Sequence, residues 1–222
     1  MKILILAAMD KEIDLLLNLL DTPEMRIIAG CKVWSGTIGN HSVFVSKCGI
    51  GKVNSAINSL RFIQLIQPDF IMNSGVAGGA GVAIGTILVA DKVAYHDVWC
   101  GPGTEYGQAD SQPLYMIPYE KVLKIAGEAG LDSGLICSGD KFISSAEEIS
   151  FIRSKFPEVK AVDMESASIA QTCNICGIPF AIIRVVSDTP GEGENIDQYK
   201  DFWATAPQKT FMVLSKILEE LK

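Results

Sequence analysis

The stretch Ala161-Val-Asp-Met-Glu-Ser-Ala-Ser-Ile-Ala170, followed by the apolar run Phe180-Ala-Ile-Ile-Arg-Val-Val-Ser-Asp188, decides the fold. Both segments contain short apolar runs that read as strands buried on both faces, with helical sequence between them. That pattern belongs to a parallel sheet covered by helices on each side. Glu165 and Asp188 fall at the carboxyl ends of these two strands, where an open α/β sheet keeps its ligand site. Two acids converging there point to chemistry on a small polar substrate.

Working outward, Lys2 to Ala8 is a continuous apolar strand, and Asp10 to Leu20 has helical periodicity ended by Asp21-Thr22-Pro23. Cys31 to Gly39 and Ser42 to Gly49 alternate like a hairpin around Gly39-Asn40. A helix is predicted from Val53 to Ile66, then a short strand Asp69 to Asn73, the glycine-rich turn Ser74 to Gly79, and an extended stretch Ile84 to Trp99. Cys100 to Pro118 reads as a long loop, a length that in a compact domain goes with function or mobility. Helices at Glu120 to Glu128 and Ser145 to Lys155 flank a strand at Leu135 to Ser138. The last helix, Asp197 to Leu221, is expected to bend near Pro207. No linker or repeat interrupts residues 1–222. The expectation is one α/β domain, a three-layer α/β/α sandwich with a twisted, largely parallel mixed sheet.

With 222 residues and 48% hydrophobic side chains, the chain can bury a sizeable core. The 26 acidic and 19 basic residues leave a net charge of -7, the wrong sign for nucleic acid or an anionic membrane. The partner is expected to be a small molecule. No apolar run is long enough for a membrane span and the amino terminus lacks the pattern of a signal peptide, so a cytoplasmic location is expected. The six cysteines lie mostly in apolar strand or helix patterns and read as small hydrophobes in a reducing compartment. Cys173 and Cys176 form a lone C-x-x-C, and with only His41 and His96 as histidines no metal site is expected.

Each acid has an ordinary structural explanation. Asp188 begins the polar segment Thr189 to Asn195 and could simply form a turn. Glu165 and Glu12 could be first-turn acids favoured by the helix dipole. Three acids at neighbouring strand ends are harder to dismiss and tilt the balance toward a site. Arg184 adds to this, because a charge inside Ala181-Ile-Ile-Arg-Val-Val186 needs an acidic partner or a ligand if it is buried, and is otherwise on the solvent face of an edge strand. The glycine turn at Gly75, Gly78 and Gly79 could offer backbone amides to a ligand oxygen, and Val76, Ala77 and Gly78 within it are candidates to bind the substrate. It matches neither a P-loop nor a dinucleotide fingerprint, and no cofactor is implied.

In chain order, Ala7-Ala-Met-Asp-Lys-Glu12, Cys48-Gly-Ile-Gly-Lys-Val-Asn54, Asn73-Ser-Gly-Val-Ala-Gly-Gly79, Tyr95-His-Asp97, Glu105-Tyr-Gly-Gln108, Ser138-Gly-Asp-Lys-Phe142, Val162-Asp-Met-Glu165 and Arg184-Val-Val-Ser-Asp188 resemble motifs of the nucleoside phosphorylase and nucleosidase superfamily. Within it the chain is similar to the 5′-methylthioadenosine/S-adenosylhomocysteine nucleosidases of methionine salvage. The resemblance implies cleavage of the bond between purine N9 and ribose C1′ through an oxocarbenium-like transition state. Asp188 would then protonate N7 as general acid, oriented by Ser187. Glu165, with the Met164 backbone, would bind the ribose hydroxyls, while Glu12 and Arg184 would hold and activate the attacking water. Phe142 would stack on the purine and the Ile143 backbone would pair with its edge. Met9, Ile50 and Tyr199 would line the pocket for the 5′ group, with Trp99 or Phe202 as additions. The resemblance also implies a homodimer in which the loop around Pro113 closes the neighbour's pocket.

Two departures bear on the 5′ group. Val76 stands where the family commonly has serine, and the loop Trp99-Cys-Gly-Pro-Gly-Thr104 is about one residue short and lacks the aromatic that lines the 5′ pocket in the family. A futalosine-type substrate therefore stays open. A phosphorylase needs several cationic donors around its phosphate, yet Val82 to Val89 contains no arginine and the turn from 44 to 52 offers only Lys47 and Lys52. A non-catalytic nucleoside-binding relative would be expected to lose the acids, and Glu12, Glu165 and Asp188 are all present.

Overall fold

The computed structural model describes residues 1–192, 195–205 and 207–221. Its elements are β1 (Lys2–Ala7), α1 (Asp10–Leu17), β2 (Asp21–Ile28), β3 (Cys31–Ile38), β4 (His41–Lys47), α2 (Lys52–Ile66), β5 (Phe70–Gly79), β6 (Ile87–Tyr95), α3 (Glu120–Glu128), β7 (Asp132–Ser138), α4 (Ala146–Lys155), β8 (Val159–Asp163), α5 (Ser166–Cys176), β9 (Phe180–Asp188), α6 (Asn195–Thr205) and α7 (Pro207–Glu220). The nine strands form one mixed sheet in the order β2-β3-β4-β1-β5-β8-β7-β6-β9.

Pairing of β5 with β9 makes the sheet more than an open sandwich. β9 runs parallel to β5 over most of its length and antiparallel to β6, so β5-β8-β7-β6-β9 closes into a ring while β1, β4, β3 and β2 extend away from β5. A ten-residue β5 makes this possible: its first half pairs with β1 and its last two residues pair with β8 on the same side. The carboxyl ends of β5, β8 and β9 are thereby drawn together.

Alternation along β1 divides the core. Ile3, Ile5 and Ala7 face Ile13 and Leu16 of α1, Val122 and Ile125 of α3, and Leu214 and Ile217 of α7. Leu4 and Leu6 face Phe62 of α2 and Ile169 and Cys173 of α5. Both strand faces are buried because period-two geometry sends successive side chains into opposite helical layers. Cys48, Cys137 and Cys173 are buried in this apolar interior, whereas Cys100 is exposed.

Three local expectations change. Residues 21–28 form a strand, paired antiparallel with β3. It was missed because Asp21-Thr-Pro-Glu-Met-Arg26 carries a proline, no apolar alternation, and an exposed surface suited to an edge. The predicted first helix stops at Leu17 instead of Leu20. The supposed glycine turn 74–79 is the second half of β5. Two of its glycines serve close packing: a Cβ on Gly75 would lie 2.6 Å from Glu12 Oε1, and one on Gly78 would lie 2.7 Å from Pro190 Cγ. The polar segment 189–196, whose closure over the site the sequence leaves open, includes Gly193 and Glu194, which lie outside the described residues, as does Ala206 beside the expected bend. Pro207 opens α7, the position where a missing N–H costs least.

Candidate active site

A cleft opens at the converging strand ends. Met9, Glu12, Ile50, Val76, Ala77, Gly78, Phe142, Met164, Glu165, Ser187, Asp188 and Tyr199 all line it. A smaller recess beside it is lined by Phe142, Ile143 and Asp188 among others. The structure thus brings together every expected site residue except Arg184 and the two additions, Trp99 and Phe202, within these two adjoining spaces. Trp99 is 59% exposed and Phe202 is buried, and neither lines the cleft. Pro113 lies on the surface of the chain.

Glu12 sits at the third position of α1, where its carboxylate folds back over the helix start. Oε2 accepts from the Ala8 and Met9 N–H groups, each at 2.9 Å, and Oε1 accepts from Val76 N–H at 3.1 Å. The Val76 amide is thereby committed to Glu12. Burial pushes the Glu12 carboxyl up, opposed by the charge of Arg184 and by these three amides.

Asp188 and Ser187 both reach the cleft because of an irregularity in strand pairing. Ala77 pairs with Val186 and Gly78 with Asp188, leaving Ser187 as an extra residue. In an unbroken strand the two side chains would point to opposite faces; a bulge re-aims them. The Ser187 hydroxyl donates to Asp188 Oδ1 at 2.7 Å, and Asn195 Nδ2 donates to Oδ2 at 3.0 Å. Burial raises the Asp188 carboxyl above the usual range, against both hydrogen bonds. The shift is in the direction that proton donation requires.

Glu165 caps α5 at its amino end. Its Oε1 accepts from Gly51 N–H at 2.9 Å, tying it to the turn between β4 and α2. Burial first and the charge of Asp163 second push it up to about 7, opposed by Gly51 N–H and Arg184.

Arg184 lies apart from the other expected site residues. It is 1% exposed and does not line the cleft. Its Nε donates to Asp163 Oδ2 at 2.7 Å, Nη1 to the Asn73 and Ile183 carbonyls, and Nη2 to Asn73 Oδ1 while pairing with Asp163. With its protons committed to these groups, it lends positive charge that favours the ionised forms of Glu12 and Glu165. Asp163, overlooked within Val162-Asp-Met-Glu165, is the partner that the buried arginine demanded. It also accepts from the Ser138 and Ser166 hydroxyls. The other unanticipated members are Asn73, which holds Arg184, and Asn195, which holds Asp188.

The outer part of the cleft is apolar. Phe142 packs edge-on against Tyr199 at 5.8 Å, and the Tyr199 hydroxyl donates to Met9 Sδ at 3.3 Å. Ile50 lies at the rim, half exposed. Among the described residues no group of three or more His, Cys, Asp and Glu side chains is arranged to hold a metal ion.

Comparison with known proteins agrees with this geometry. Residues 2–219 match the model of the phosphorylase superfamily. The 5′-methylthioadenosine/S-adenosylhomocysteine nucleosidase of Glaesserella parasuis serovar 5 is 36% identical over 227 residues, covering 98% of each chain. The S-adenosylhomocysteine nucleosidase of Streptococcus pyogenes, solved in complex with 5-methylthiotubericidin, superposes with a TM-score of 0.95 at 33% identity over 100% of this chain and 98% of that one. A futalosine hydrolase mutant of Helicobacter pylori superposes with a TM-score of 0.90 at 29% identity over 99% of each. With its acids gathered at the strand ends and its likeness extending over the full length, the chain belongs to the phosphorylase superfamily and, within it, to the 5′-methylthioadenosine/S-adenosylhomocysteine nucleosidase family.

Proposed function

We propose that the protein hydrolyses the N-glycosidic bond of 5′-substituted adenine nucleosides, 5′-methylthioadenosine and S-adenosylhomocysteine, to adenine and the 5-substituted ribose. The observation that carries this reading is one cleft lined by Asp188, Glu12 and Glu165, each in a different setting. Asp188, buried and pushed toward its neutral form, donates a proton to purine N7 and turns the base into a neutral leaving group. Glu165 accepts the ribose hydroxyls, drawing electron density toward C1′ as positive charge develops. Glu12, held by three amides, orients the attacking water and takes its proton. Arg184 keeps these carboxylates from repelling one another. Phe142 stacks on the base, and Met9, Ile50 and Tyr199 receive the 5′ group.

Water is preferred over phosphate because, among the described residues, no positively charged side chain lines the larger cleft. Glu12, Asp163, Glu165 and Asp188 line it instead, and like charges about 4 Å apart repel by about 4 kcal/mol at an effective dielectric near 20. The test is incubation with 5′-methylthioadenosine, S-adenosylhomocysteine, adenosine, inosine and a futalosine-type nucleoside, with and without phosphate. Free base and free 5-substituted ribose at a phosphate-independent rate are expected. A ribose 1-phosphate product would overturn the hydrolytic reading.

The active form in this reading is a homodimer. The outer side of α2 exposes Val53, Ile57 and Leu60, a helical i, i+4, i+7 stripe that in isolation would be an unusually apolar surface. It continues into Ile50 at the rim of the cleft, so a second copy seated there would cover the 5′ end of the site. Sedimentation of the parent as a monomer at micromolar concentration would remove this part. The six unpaired cysteines fit a reducing compartment, the cytoplasm.

A further inference from the structure

Asp188 stands at a strand end, and its carboxyl can turn broadly about its last bond. Ser187 fixes one oxygen. The other, Oδ2, is fixed by Asn195, the first residue of α6. Asn195 is 3% exposed, and its Nδ2 also donates to the Ile143 carbonyl at 3.2 Å. A backbone carbonyl and a carboxylate oxygen both accept, so the carboxamide has its nitrogen on this side and its two protons are divided between them. Asn195 lines neither the cleft nor the adjoining recess. It reaches the acid from behind.

The same face of α6 makes two further ties. Gln198 Oε1 accepts from Thr189 N–H at 2.9 Å, just past the acid, and the Tyr199 hydroxyl donates to Met9 Sδ. Positions 195, 198 and 199 are i, i+3 and i+4, neighbours on one helix face. The helix that supplies an aromatic wall to the cleft thus also holds the acid.

We propose that Asn195 is a positioning residue for the Asp188 acid, aiming its Oδ2 at N7 of the bound purine from the inward face of α6. The inference rests on the reading of Asp188 as the group that meets N7. A proton donor must be placed to within about an ångström to be effective, and displacement by that much costs up to about 10²-fold. Ser187 is the acid's own chain neighbour and reaches only Oδ1; Asn195 comes from another element and sets the direction of Oδ2.

The test compares two uncleavable or poorly cleaved nucleoside analogues. A 9-deaza analogue carries N–H at position 7 and donates to Asp188, whereas a 7-deaza analogue carries C–H there and cannot. The parent should bind the 9-deaza compound more tightly. In Asn195→Ala this preference should shrink about tenfold or more, the scale of a hydrogen bond to a charged group, while 7-deaza affinity stays within about threefold and kcat falls about tenfold or more. The near-isosteric Asn195→Leu keeps the volume and removes both donors, so it should behave alike even if the alanine variant collapses. An unchanged preference, or equal loss for both analogues, would overturn the inference. A parent with no preference would instead remove Asp188 from N7 and take the inference with it, which distinguishes the two failures.

Discussion

The inner wall of the cleft, made by the ends of β5, β8 and β9 and the first turn of α1, and the outer wall, made by the turns after β1, β4 and β7 together with α6, follow opposite rules. On the inner wall every acid is tethered: Glu12 by three amides, Glu165 by the Gly51 amide, Asp188 by a hydroxyl and a carboxamide, Asp163 by two serines and an arginine. On the outer wall the side chains are Met9, Ile50, Phe142 and Tyr199, of which Ile50 and Phe142 keep 50% and 41% of their surface exposed. Fixed charge is needed where charge develops during reaction. An apolar, half-open wall suits a variable substituent and a second subunit. Chemistry should therefore fail when the inner wall is touched, and only preference should change when the outer wall is.

The largest effect expected is from Asp188→Asn, which keeps the shape and removes the proton. Turnover should fall about 10²- to 10⁴-fold while a 7-deaza analogue binds as before; turnover within about threefold of the parent would show that the inner wall does not supply the acid. Next is Arg184→Met. It leaves Asp163 buried without its cation, and breaking a buried pair from one side typically costs about 3–5 kcal/mol. Denaturant unfolding should show a loss on that scale. A loss below about 1 kcal/mol would mean the Asp163–Arg184 network is not the foundation of the inner wall.

Much of this contrast was legible in the sequence, for physical reasons that also explain the gaps. Phe180 to Asp188 could only be a doubly buried strand, and buried strands end where ligands bind, so Glu165 and Asp188 stood out. Arg184 announced a partner without naming it: Asp163 lies two residues before Glu165, yet which of two acids meets the guanidinium depends on the register of β8 against β7 and β5, a long-range property. The glycines of β5 look the same whether they make a turn or admit Glu12 to the strand. Asn195 was hidden because its role depends on the docking of α6, although its spacing from Gln198 and Tyr199 is the signal that could have found it. The closure of the sheet through β5 and β9 left no local trace at all.

Titration offers a finer probe of the inner wall. Glu165 is raised to about 7 by burial and Asp163, and burial also raises Glu12 and Asp188. A raised acid holds its proton in the folded state at pH values where the unfolded chain has lost it, so stability is fully present below the unfolded value near 4.5 and is lost as pH rises through the folded one. Glu165 should thus contribute a loss of stability between about pH 4.5 and 7, with a slope of up to about 1.4 kcal/mol per pH unit, against an opposite slope below pH 6.5 from His96, which burial lowers. Glu165→Gln should flatten this slope, measured by urea unfolding at several pH values. An unchanged slope would mean that Glu165 is ionised throughout and that the inner wall is less desolvated than its burial indicates.

The smallest effect tests the outer wall. Tyr199→Phe keeps the ring that packs on Phe142 and removes the hydroxyl that donates to Met9 Sδ. A thioether is a weak acceptor, so little binding energy is tied to that contact, and the remaining ring still excludes water from the 5′ group. For 5′-methylthioadenosine, kcat should stay within about twofold and KM within about threefold, a change under ~1 kcal/mol of the kind removal of one weak hydrogen bond produces. For S-adenosylhomocysteine, whose longer substituent must pass the rim formed by Ile50 and Tyr199, the KM change should be the larger of the two. A fall in kcat of tenfold or more with both substrates would break the comparison itself, because a hydroxyl on the apolar wall would then be acting on the reacting bond, and the division between a chemical inner wall and a selective outer one would be lost.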